Sequence, residues 1–135
     1  MRAKIFTLEE ANNLIPDLSA VFDKISYVRT KINLIKESLD FSDQTKEYHE
    51  NPDKMLERMS TFTEELKRHI AEVQSYGCLV KDLENYLVDF YSVKENKLVF
   101  LCWKYGEKDI RFWHETQARF KGRLPLILKE EIQKS

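Results

Sequence analysis

Glycine and proline are scarce in this chain, three of each in 135 residues. That scarcity excludes a loop-rich or disordered protein. Cysteine is scarcer still. Cys78 and Cys102 are too few for a disulfide framework, and a reducing compartment keeps such residues as thiols. Neither sign of charge prevails: 22 Lys and Arg face 23 Asp and Glu, a net charge of −1. No global field therefore steers the protein onto nucleic acid or an anionic membrane, and nucleic-acid binding is not expected. No run approaches the ~20 apolar residues of a membrane span. The opening MRAKIFTLEEANN turns polar before any apolar segment forms, which does not suit a secretory signal. The expected compartment is the cytoplasm.

What is present points to one domain that can fold alone. Charged residues make up 33% of the chain, an excess that suits long solvated helices. Thr7 is a good N-cap, and Glu10 completes a capping box. Leu8, Ala11, Ile15, Leu18, Phe22, Ile25, Val28, Ile32, Ile35 and Leu39 then recur in steps of three and four. This spacing predicts a helix over 8–39, with a kink or a distinct first turn at Pro16. Residues 40–51 carry no period and read as a loop. Asn51-Pro52 restarts a helix, and Met55, Met59, Phe62, Leu66, Ile70 and Val73 form its stripe over 53–76. Gly77 is placed to end it in the left-handed conformation.

After Gly77 the pattern changes. YLVDFYSV (86–93), LVFLCWKY (98–105) and 109–115 read as three strands, the middle one apolar on both faces and central. The tail over 125–134 reads as a short helix. The expected fold is α+β: a long antiparallel helical hairpin, then a small three-stranded antiparallel sheet (86–115) packed on it. The helices are longer than such a sheet can cover. Part of their stripe must then be buried by the tail or by a second copy, so a homodimer is expected.

FTLEEANNLIPDL, GCLVKDLENYLVDF and LCWKYGEKDIRFWHETQARFKGRLPL together resemble a small prokaryotic family, domain of unknown function 2203. The resemblance runs from Phe6 to about Leu126. Leu-Cys-Trp, Gly-Glu, Trp-His-Glu and Gly-Arg fall in register with it. It implies a fold and a set of positions and transfers no reaction. It also implies glycine where Tyr86 and Arg119 stand, and proline where Tyr91 stands.

Candidate chemistry gathers between Asp89 and Arg123. Cys102 and His114 are natural zinc ligands and equally a nucleophile and base. Hairpin register decides whether they meet. A two-residue turn at Gly106-Glu107 sets Cys102 opposite Arg111 and sends His114 to the other face. A three-residue turn sets the two directly opposite. Core packing is the plain alternative, because buried cysteine behaves as a small apolar residue. Asp89, within an apolar strand, needs a partner or faces water. Pairing across residues 94–97 puts it opposite Cys102, with Arg111 available on the same row. Trp113 and Glu107 extend the region, and Arg123 after Gly122 suits an anionic group.

Two function classes follow. The leading one is a non-enzymatic protein-interaction or assembly module built on the helical hairpin. Its partner is a second copy of the chain or another protein, and no cofactor is expected. The alternative is a small-molecule, anion-binding or metal-assisted hydrolytic protein. Its site would use Cys102, Glu107, His114, Glu115 and Arg123, with His114 and Glu115 handling a proton.

Overall fold

The computed structural model describes residues 4–45, 51–116 and 124–126, the side chains of 41–45 excepted. Three helices precede a sheet: α1 (Leu8–Asn13), α2 (Ile15–Thr45), α3 (Pro52–Ser75), β1 (Leu79–Asp82), β2 (Leu87–Lys94), β3 (Lys97–Lys104), β4 (Phe112–Glu115) and β5 (Leu124–Pro125). The fold is α+β with an antiparallel sheet. The sheet has five strands in the order β1-β2-β3-β4-β5, where the sequence led us to expect three. The two extra strands are edge pieces. β1 has four residues, two of them charged, and β5 has two and includes a proline, which an edge tolerates. Segments this short carry no readable alternation. The middle strand, β3, is central as expected.

The helix signals act where the sequence places them. Thr7 and Glu10 form the reciprocal capping box. The first turn breaks away at Leu14, two residues before Pro16. The Asn51 side chain accepts from the Asp53 N–H, with Pro52 opening α3. α2 runs on to Thr45, past the expected end at Leu39. Residues 40–45 lack an apolar period, but they also lack Gly and Pro, and a formed helix propagates cheaply. Part of the tail helix expected over 125–134 falls in β5 at Pro125, and 127–134 lie outside the described residues.

One face of the sheet packs on the helices. Val88, Phe90, Leu101 and Trp103 join Leu8, Ala11, Leu18, Phe22, Ile25 and Val73 in a single core. Phe22 meets the Trp103 ring edge-on at 5.8 Å between centroids. Beyond the sheet, Ile32, Ile35 and Met55 are buried as well, where α2 and α3 pack on each other. Part of the far stripe is thus covered within one chain, while Leu39, Met59 and Phe62 stay half-buried.

β1 pairs with β2 only from Leu87 to Asp89. The N-terminal segment takes the next stretch of that edge. Ile5 bridges Tyr91 in parallel, the Phe6 N–H donates to the Tyr91 carbonyl at 2.7 Å, and the Ser92 hydroxyl donates to the Phe6 carbonyl at 2.6 Å. Gly77 makes this docking possible. Its φ is +97°, and a Cβ there would lie 2.9 Å from the Lys4 Cβ. Gly106, at φ +102°, has open space around it. We expect Gly77→Ala to cost roughly 1–3 kcal/mol from backbone strain alone, with steric contact adding to it. Gly106→Ala carries only the backbone part. Denaturant melts giving equal losses for the two variants would refute the docking role of Gly77.

Candidate functional site

The second face of the sheet carries a set of buried polar groups. Register explains it. Asp89 lies opposite Cys102, and Cys102 opposite Phe112, while Phe100 lies opposite His114. Residues directly opposite share a face, so Asp89, Cys102 and His114 all project from the side away from the helical core. His114 sits diagonally from Cys102, two positions along β4. The small Cys102 side chain lets Asp89 and His114 meet across the central strand.

The three are 3%, 0% and 1% exposed. One ligand-type atom from each, a carboxylate oxygen, the thiol sulfur and an imidazole nitrogen, lie within 4.8 Å of one another. Asp89 Oδ1 is 3.0 Å from His114 Nε2. His114 Nδ1 is 2.9 Å from the Glu115 carbonyl. A carbonyl only accepts, so Nδ1 carries the proton and donates. Nε2 then faces two neighbours at once, because the Lys81 ammonium lies 3.2 Å away. Rings wall the site: Phe100 is 5.2 Å from the His114 ring and 4.6 Å from Tyr91.

This arrangement corrects several expectations. Neither a two-residue nor a three-residue turn forms. Residues 105–111 connect β3 to β4, because the Ile110 N–H is held by the Asn12 side chain at 2.7 Å and the strand starts only at Phe112. Cys102 and His114 therefore share a face without lying opposite. Arg111 does not reach Asp89. It is exposed and bonds Asp109 at 2.7 Å, and His114 is the partner of Asp89. Glu115 gives His114 its main-chain carbonyl only, since neighbouring strand residues point to opposite faces. Glu107 shapes a turn: its carbonyl accepts from Trp103 Nε1 at 2.9 Å and its carboxylate from the Lys104 N–H at 2.6 Å. Trp113 lies on the core side, under the Lys94 ammonium at 4.8 Å. It borders a cleft of about 520 Å³ with Lys94, Lys97, Val99 and Glu115, which none of the three buried groups lines. Arg119 and Arg123 lie outside the described residues.

Lys81 was not foreseen. It occupies a bulge in β1, between Val80 paired with Val88 and Asp82 paired with Leu87. No sequence signal marks a bulge in so short a strand.

The family described as an uncharacterized conserved protein (DUF2203) matches residues 4–126. That span is most of the chain, and the chain belongs to this family. No curated protein and no solved structure matches it.

Cys78 stands apart from the cluster. Its thiol is buried, donates to the Val73 carbonyl at 3.3 Å, and is pushed by burial from 9.0 up to about 12. Below pH 9 both folded and unfolded chains keep this proton. Between 9.0 and about 12 only the folded chain does, so stability falls as pH rises, on the order of 1 kcal/mol per pH unit. Denaturant melts across that range should show a shallower fall for Cys78→Ala than for the wild type. An unchanged slope would remove this role.

Proposed function

We propose that this member of the family is a non-enzymatic metal-binding domain, with Asp89, Cys102 and His114 as ligands for a zinc-class divalent ion. The reading rests on the hydrogen-bond geometry around His114. Nδ1 donates to Glu115, so the imidazole offers Nε2 as a lone pair, the form in which histidine ligates metals. Asp89 Oδ1 also lies 3.0 Å from Nε2 and cannot donate to it when ionised. If Nε2 is protonated instead, Asp89 is satisfied but the Lys81 ammonium sits 3.2 Å from an imidazolium. One divalent cation shared by Nε2 and the Asp89 carboxylate removes the clash of lone pairs once the Lys81 ammonium has turned away. Tetrahedral ligands 2.0–2.3 Å from zinc lie about 3.3–3.7 Å apart. The 3.0 Å contact and the 4.8 Å limit bracket that spacing. One sulfur, one nitrogen and one oxygen ligand suit a borderline ion.

Nucleophilic or hydrolytic chemistry fits less well. Both imidazole nitrogens already have partners, and Cys102 is fully buried. Purified protein stripped of metal and titrated with Co²⁺ should bind one equivalent and develop a thiolate-to-cobalt absorption band. Cys102→Ala should lose the band. Zn²⁺ at a hundred times its Kd should stabilise the fold by about 2.7 kcal/mol. A wild-type protein with no such band and no thermal shift would sink the proposal.

A second reading keeps the interaction module. Tyr27 and Leu34 on α2 and Leu56 on α3 are more than half exposed. Arranged as an antiparallel hairpin, these helices would offer that apolar surface to a second copy. Light scattering after size exclusion should then give twice the chain mass at micromolar concentration, and Leu34→Glu should halve it. A single-chain mass throughout would end this reading.

A further inference from the structure

The geometry points to Lys81 as the gate of the metal site: its ammonium holds the His114 Nε2 lone pair until an incoming metal ion displaces it. This rests on the metal reading above and concerns how that site is regulated.

Three observations converge on Lys81. The first is its origin in the β1 bulge. The extra residue has no cross-strand partner in the register, and a bulge turns its side chain away from the regular alternation. The ammonium thereby lands 3.2 Å from Nε2. The second is exclusivity. With Nδ1 committed to the Glu115 carbonyl, the ring has one lone pair left. A lysine N–H and a metal ion compete for it, and only one can have it. The third is access. Asp89, Cys102 and His114 are all buried, whereas Lys81 is half-buried on an edge strand. Rotation of its four-carbon stem exposes Nε2 without moving the backbone. A compact, strongly hydrated ammonium also leaves for solvent more easily than a planar guanidinium would.

The gate sets two properties. Metal binding is weakened by the contact Lys81 must give up, and metal entry waits for the side chain to swing out. It also favours ions that bind nitrogen and sulfur strongly over hard cations such as Mg²⁺, which cannot outbid the ammonium for an imidazole.

The test compares wild type, Lys81→Met and Lys81→Arg in Co²⁺ and Zn²⁺ titrations and in stopped-flow Co²⁺ mixing. Circular dichroism first establishes that each variant is folded. Lys81→Met keeps the stem and removes the charge. It should bind Co²⁺ more tightly, on the order of tenfold, because a charge-assisted hydrogen bond no longer opposes entry. It should also load faster, with the thiolate band unchanged in position. Lys81→Arg should load no faster than wild type. If wild type and Lys81→Met share one affinity and one rate while both show the band, the gate is refuted and the metal site stands. If neither shows the band, the metal site fails and takes the gate with it.

Discussion

The structure depends on the two-sided burial of β3. A central strand with period-two alternation must find company for both faces. Leu101 and Trp103 satisfy one face against Phe22 and its neighbours. Phe100 and Cys102 turn the other way, where the described helices contribute nothing to the core. That second face is closed by rings and by an Asp–His pair drawn across the strand. Cys102 is decisive through its size. A bulkier residue at the crossing point would hold Asp89 and His114 apart, and each would then be a buried polar group in search of a partner.

Aromatic packing supports the same region from the core side and carries one backbone irregularity. Tyr86 sits at φ +54°, in the left-handed region that favours glycine. The family resemblance leads one to expect glycine there, and the dihedral supplies the reason. Tyrosine's ring compensates: it meets Phe22 and Tyr105 edge-on at 5.9 and 5.6 Å, with the Arg29 guanidinium 5.2 Å over its face. Arg29 also donates to the Leu83 carbonyl at 2.9 Å and pairs with Glu84, so α2 grips the β1–β2 turn. The Tyr105 hydroxyl donates to Asp23, which holds that phenol above its usual range.

Helix starts, stripes and the central strand were legible because each is a local or periodic signal. Thr7, Asn51-Pro52 and Gly77 act within a turn of their own positions, and the burial of Leu18, Phe22 and Ile25 follows from spacing alone. Asp89 was readable as a charge needing a partner, and its place opposite Cys102 followed from the tight turn at Glu95 and Asn96. Its actual partner was not readable. Whether His114 or Arg111 reached it turned on the length of the β3–β4 connector, which is set by a contact from Asn12 on a distant helix. Lys81 escaped for the same kind of reason, since a single unpaired residue in a four-residue strand leaves no trace in composition.

The clasp between Phe6 and β2 joins residues 86 positions apart, the Phe6 carbonyl to the Ser92 hydroxyl. During synthesis the opening segment leaves the ribosome long before its seat exists. Phe6, with its edge-on contact to Phe90 at 5.1 Å, stays exposed until β2 has emerged. Phe6 and its neighbours are therefore among the last to settle, and the helices must wait for the far half of the polypeptide before this end of theirs can close.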